Sequence, residues 1–261
     1  MATTVVGGLT LSFTDEGAGS VVVLLHGWGG RAASMTPLAN ALRERFRVLA
    51  FDLPGFGETS LPPEPWGTFE YASFVAAALA GLGVQRASFI GHSFGGRLGI
   101  WLAANRPELV QSLVLIDSAG VKPLPTLKRR LRTAVFKAAK ALLRLRILGR
   151  AGPALQERLA AKLGSADYRA ATGVMRASMV KTVNEDVTHL LPRIGVPTLL
   201  LWGENDKETP VADGEKMAGL IGDAVLIRVA GAGHFSYLEN PLYVQAVVIA
   251  FLDGVLAEAR R

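Results

Sequence analysis

Short apolar runs that stop abruptly at a glycine or a polar residue recur along the chain, with helical patterns between them. "SVVVLLHG" is a β-branched and leucine run without polar interruption, the mark of a strand buried on both faces. "RVLAFDLPG", "ASFIGHS" and "QSLVLIDSAG" repeat the pattern, and "VPTLLLWGEND" and "AVLIRVAGAGH" resume it later. "TLSFTDEG" instead alternates polar and apolar residues, as a half-buried antiparallel strand does. Helical periodicity fills the gaps. "SMTPLANALRERF" has Ser34 as a candidate N-cap, "TFEYASFVAAALAGLG" starts near Thr68 and stops at Gly81 or Gly83, and "FGGRLGIWLAANRP" ends before Pro107. "DGEKMAGLIG" and a final stretch from Pro241 to about Ala259 complete the set. Strands alternating with helices predict an α/β fold, a mostly parallel sheet with helices on both faces.

The rhythm breaks at residues 121–190, where helical patterns interrupted by proline and glycine replace the alternation. A chain of 261 residues accommodates one large domain with one sizeable insertion. The expected organisation is a core from residues 1–120 and 191–261, with 121–190 as a helical cap over the C-terminal edge of the sheet. Ligands bind at that edge in open α/β sheets.

The chemistry-bearing residues fall at strand ends. Ser93, in "FIGHSFGG", lies between a predicted strand and a predicted helix. That strand–turn–helix setting is what a nucleophile elbow requires, with Gly91 and Gly95 where side chains would clash. A serine hydroxyl needs a base. His234, on the loop after the last predicted strand, is the best placed of four histidines. His26 is expected to shape a turn, His92 to point away from Ser93, and His189 to serve packing or the surface. The base needs an acid to hold its tautomer. Asp206, in "LLLWGENDKETP", is favoured, and Asp117 at the end of "SLVLID" is the competitor. Glu204 and Glu208 are expected to be solvated loop charges. Oxyanion donors would be the backbone N–H groups of Phe94, after the nucleophile, and Trp28, in "HGWGG".

Together "HGWGG" at 26–30, "DLPGFG" at 52–57, "GHSFGG" at 91–96, "GENDKETP" at 203–210 and "GAGHFSYLENP" at 231–241 resemble the α/β-hydrolase family. The order Ser93, Asp206, His234 is that family's order. The resemblance covers nearly the whole chain outside the insertion and implies the α/β-hydrolase fold, its serine-nucleophile branch and a cap at 121–190. It also implies that Asp52 organises a loop rather than acting in catalysis. Ser93 departs from the aspartate elbow of haloalkane dehalogenases and epoxide hydrolases. Nor does the chain show the G-x-S-W-G elbow usual in proline iminopeptidases.

What remains is a carboxylesterase-like hydrolase, with lactonase, thioesterase and perhydrolase activities as neighbours. Trp28, Phe94 and Phe235 flank the reacting position and suggest small or medium apolar acyl groups. Carbon–carbon hydrolases of ring-fission products share the triad. Arg176, in "GVMRAS", would hold a carboxylate in such chemistry, against a plain surface arginine. A receptor or lipid-surface binder on the same fold is the alternative from another class.

Composition narrows the partners. The chain contains no cysteine, which removes thiolate catalysis and cysteine-ligated metals, and its histidines lack metal-binding spacing. No cofactor is expected. Of a net charge of +6, residues 122–150 carry ten Lys or Arg and no acid, so the rest of the chain is net −4. A single basic stretch does not read as a nucleic-acid surface. Its leucine, valine and alanine at 124, 127, 131, 135, 138 and 142 either pack over the pocket or form an interfacial helix in weak contact with anionic lipid. The N-terminus does not read as a signal peptide, and no uninterrupted apolar stretch approaches about 20 residues. A cytoplasmic protein is expected, its oligomeric state open.

Overall fold

A computed structural model describes residues 1–122 and 166–259. An eight-stranded sheet runs β1 (Ala2–Val6), β2 (Leu9–Glu16), β4 (Arg47–Phe51), β3 (Val21–Leu25), β5 (Ala87–His92), β6 (Val110–Ile116), β7 (Thr198–Gly203), β8 (Ala224–Val229) in spatial order. β2 pairs antiparallel with both β1 and β4, and every later pairing is parallel. Alternation in β2 and unbroken apolar runs in β3 to β7 gave this division in the sequence. β1 did not register there, because a two-residue Gly7–Gly8 hairpin separates it from β2 and only Val6 in it is buried.

Both faces of the sheet are covered. Val23 and Leu25 pack with Tyr71 and Val75 of α2 (Thr68–Gly81) and Leu98 and Leu102 of α3 (Phe94–Asn105). Val22 and Leu24 face the other way, toward Leu38 of α1 (Thr36–Leu42) and, from the chain's last helix, Val244 and Val248. Successive strand residues point to opposite faces, so a strand sandwiched between helices is apolar at most positions, and the buried Ser88 and Ser112 of β5 and β6 hydrogen-bond each other at 2.9 Å. The Ser34 N-cap is corrected: a short 3₁₀ turn, Ala32–Met35, precedes α1, and Ser34 Oγ accepts the Arg31 N–H at 3.2 Å inside it.

The chain leaves the sheet after β6 and returns where the Val187 N–H donates to the Gly120 carbonyl at 3.0 Å. Of the intervening stretch, α4 (Ala166–Ala170) and α5 (Gly173–Asn184) are described. The apolar stripe at 124–142 and nearly all of the basic stretch at 122–150 lie outside the described residues. α5 docks on the loop before α2. The Trp66 N–H donates to Ser178 Oγ at 2.9 Å, and Lys181 pairs with Glu70 at 2.6 Å. Glu185 Oε2 accepts both the N–H and the hydroxyl of Thr68, so residues from the insertion cap α2. Buried Arg97 of α3 completes the attachment by donating to the Glu185 carbonyl at 3.0 Å.

After β7 come α6 (Val211–Leu220), a short α7 (Ser236–Glu239) and α8 (Pro241–Ala259). By length and composition the 18 residues from Pro241 to Glu258 could cross a membrane. In the fold, Val244, Val248 and Leu252 bury one side of this helix against the sheet.

Candidate active site

The parallel strands deliver their C-terminal ends to one edge. At β5 the chain turns directly into α3, and Ser93 sits at the turn with φ 49 and ψ −109. Such a conformation is costly for a non-glycine residue and persists only when its surroundings enforce it. The close packing around the turn does so. A Cβ on Gly91 would collide with the Gly95 backbone, and one on Gly95 with the Leu25 carbonyl. The elbow therefore presses against the end of β3 and points Ser93 into the edge.

His234 follows β8. Its Nε2 lies 3.1 Å from Ser93 Oγ and its Nδ1 lies 2.8 Å from Asp206 Oδ2. Nδ1–H donates to the carboxylate, which leaves the Nε2 lone pair facing the serine hydroxyl. Asp206 comes from the loop after β7, and its side chain is sealed from solvent. Its Oδ1 also accepts the N–H groups of Glu208 (2.8 Å) and Thr209 (3.0 Å), and its Oδ2 accepts the Thr209 hydroxyl at 2.7 Å. Burial works against this carboxylate, but the hydrogen bonds from His234 and Thr209 hold its carboxyl below the ordinary range. Burial likewise works against a charged His234. The Asp206 hydrogen bond and charge, with Glu208 and Asp117 behind them, outweigh it and raise the imidazole above its ordinary value.

Asp117 does not touch His234. Its backbone is held at φ 46, and burial pushes its carboxyl up to about 6. Oδ1 accepts the Gly203 N–H at 2.7 Å; Oδ2 accepts the Ser236 N–H at 3.0 Å and the Ser236 hydroxyl at 2.6 Å. It fastens the end of β7 and the loop carrying His234 to β6. Nothing in the local sequence distinguishes that role from the acid's.

Of the other histidines, His189 is exposed, and His26 and His92 are buried. His26 donates from Nδ1 to the Gly27 carbonyl (2.7 Å) and accepts the Leu53 N–H at Nε2 (3.0 Å). Burial lowers it to about 4. Asp52 organises the adjoining loop, accepting the N–H groups of Ala32 and Glu58. His92 has a partner the sequence did not reveal: its Nε2–H donates to the His234 carbonyl at 2.8 Å. Burial lowers His92 to about 4, which keeps it neutral. A Cβ on Gly27 would lie 2.7 Å from His92 Nδ1 and 3.4 Å from Ser93 Cβ, so the "HGWGG" turn abuts both residues.

The two expected oxyanion donors stand at this junction. Phe94 is the first residue of α3, so its N–H lacks an intrahelical partner and points from the positive end of the helix. The Trp28 N–H has no backbone partner among the described residues.

Of the expected pocket residues, Trp28 lines a cavity of about 330 Å³ with Phe56, Leu61, Thr172 and Met175. Phe94 is buried behind it, with ring centroids 5.2 Å from Trp28 and 5.1 Å from Tyr71. Phe235 is half-exposed and lies against His92 and His234 instead. Neither Phe94, Phe235 nor Arg176 lines that cavity. Arg176 donates to the Ala171 carbonyl at 2.7 Å and lies 5.4 Å over the Tyr168 ring, engaged within its own segment.

A parallel α/β sheet with a strained serine elbow, a histidine and a buried carboxylate at its C-terminal edge defines a hydrolase architecture. The chain belongs to the α/β hydrolase fold family, whose model matches residues 20–241. It is 28% identical to a 2-(acetamidomethylene)succinate hydrolase of Mesorhizobium japonicum, covering 95% of this chain and 94% of that one. It is 29% identical to a pimeloyl-[acyl-carrier protein] methyl ester esterase of Neisseria meningitidis, covering 91% and 78%. A membrane phospholipase A described as a bacterial virulence factor superposes with a TM-score of 0.76 at 29% identity, covering 97% and 86%. The chain is a hydrolase of this fold.

Proposed function

We propose that the chain is a serine hydrolase of carboxylic esters with small to medium apolar acyl groups. The observation that carries the reading is the unbroken relay from Ser93 Oγ through His234 to Asp206 Oδ2, at 3.1 and 2.8 Å. In this reading Ser93 Oγ attacks the ester carbonyl as its proton passes to His234 Nε2. Asp206 holds the Nδ1–H and stabilises the imidazolium. Negative charge gathering on the carbonyl oxygen is met by the Phe94 and Trp28 N–H groups. Removing one such donor typically costs about 10²–10³ in turnover. Collapse of the intermediate returns the Nε2 proton to the departing alcohol and leaves an acyl group on Ser93. Water, deprotonated by His234, then releases the acid.

Phe56, Leu61 and Met175 make the cavity beside Trp28 apolar, which supports the preference for apolar acyl groups. From the stretch expected to form the cap, α5 supplies Met175 to its wall. Engagement of Arg176 with the Ala171 carbonyl and the Tyr168 ring gives the carbon–carbon hydrolase reading less support than the ester reading.

The test is hydrolysis of p-nitrophenyl esters of graded chain length, alongside labelling by a fluorophosphonate. Turnover and labelling that both vanish in Ser93→Ala are expected. A wild-type chain that neither turns over nor labels would indicate a ligand-binding protein on a hydrolase fold.

A further inference from the structure

Glu208 was expected to be a solvated loop charge, and two-thirds of its side chain is indeed exposed. Its carboxylate nevertheless reaches His234. Oε2 lies 3.6 Å from Nε2, the nitrogen that faces Ser93 Oγ at 3.1 Å. The reach is not a loose excursion of the loop. The Glu208 N–H is fixed to Asp206 Oδ1 at 2.8 Å, so the backbone that carries the side chain is anchored to the buried acid. One carboxylate thus holds His234 from behind through Nδ1, while a second stands in front, where the leaving-group oxygen must collect the Nε2 proton.

Among the described residues, no basic side chain other than His234 lies within ion-pair reach of Glu208. Among the described residues, the charged side chains within ion-pair reach of His234 are Asp206 and Glu208, both acidic. Asp117 adds a third acidic group behind the ring. Arg176 is turned to the Ala171 carbonyl and the Tyr168 ring.

We propose that Glu208 sets the charge preference of the site, admitting ester leaving groups that are neutral or cationic and disfavouring those that carry a carboxylate close to the scissile bond. The inference rests on Ser93 being the nucleophile that attacks an ester, and it names the substrate class more narrowly. A carboxylate on the leaving group would be brought toward Glu208 as the bond breaks, and a quaternary ammonium there would be attracted. Exposed charge pairs contribute roughly 0.2–1 kcal/mol, so the preference is a few-fold in rate rather than absolute.

The experiment compares three butyrate esters of similar leaving-group size: butyrylcholine, the neutral isostere 3,3-dimethylbutyl butyrate, and 3-butyryloxypropanoate. Ratios of kcat/KM to the neutral ester are read in the wild type and in Glu208→Gln. In the wild type the cationic ester should be favoured and the anionic one disfavoured. Glu208→Gln should move both ratios toward unity by about threefold. In about 1 M sodium chloride, where the screening length is about 3 Å, the two proteins should converge. Equal ratios in wild type and variant at low salt would overturn the proposal. A parallel arm measures the rate of Ser93 labelling by fluorophosphonates bearing ammonium, tert-butyl or carboxylate tails. A chain that labels with the predicted charge order but cleaves none of the esters would retain the role of Glu208 and sink the ester reading. Labelling rates indifferent to tail charge would sink the role of Glu208 alone, and a chain that neither labels nor cleaves would sink both.

Discussion

Asp117 Oδ2 accepts both the backbone N–H and the hydroxyl of Ser236, a residue 119 positions further along the chain. Ser236 is two residues beyond His234, so this contact sets where the His234 loop leaves the sheet. The same carboxylate holds the Gly203 N–H, three residues before Asp206. One buried carboxylate therefore registers the loops that bring His234 and Asp206 together.

Replacing Asp117 by alanine should strip three donors of their acceptor in a buried setting. A loss of about 2–4 kcal/mol is expected, read as a lowered midpoint in urea or thermal unfolding. The pH dependence has a definite sign. The folded carboxyl titrates near 6 against an ordinary 3.8, so its contribution favours the fold below pH 3.8 and declines as pH rises through 6. The stability gap between Asp117→Asn and wild type should change across that window and be flat above it.

Activity should fall on the acid side as His234 gains a proton and ceases to be a base. Its pKa is raised, so the midpoint of kcat/KM should lie above that of a free histidine, 6.5. Asp206→Asn should cost about 10⁴ in kcat and move the residual limb to lower pH. A limb centred below 6.5 in the wild type would count against His234 as the base.

His92 is held neutral and donates to the His234 carbonyl. His92→Ala should lower kcat by about 10–100-fold with little change in KM, since a displacement of about 1 Å in a reacting group can cost 10²-fold. The acid limb should stay in place, because His92 carries no charge to lose. A shifted limb with unchanged kcat would assign His92 an electrostatic role instead.

Gly95→Ala should fail at the elbow, because the new methyl group would meet the Leu25 carbonyl. Loss of soluble folded protein, or an unfolding free energy lowered by more than about 2 kcal/mol, is expected. Gly254→Ala in α8, where a Cβ meets nothing within 4 Å, is the control and should be neutral or slightly stabilising.

Much of this was legible without coordinates, for a local reason. A strand buried on two faces is apolar at most positions, so β3 to β7 announce themselves in short windows. A serine elbow needs small residues two positions either side, so Gly91 and Gly95 mark Ser93. Asp206 and His234 follow from strand ends in chain order and from the family's spacing. Asp117 and Asp206 could not be separated by that logic, since both end parallel strands at the same edge.

The amino-acid order by itself determined the layered sheet and the elbow, because periodicity and tight-turn sterics act over a few residues. Only the tertiary structure decided that Asp117 is a fastener, that His92 braces His234, that Glu185 caps α2, that Met175 rather than Phe235 lines the cavity, and that Glu208 faces Nε2. Each of these depends on a hydrogen bond or an approach between segments that the chain separates widely, and their geometry is set by how the elements pack rather than by any local pattern.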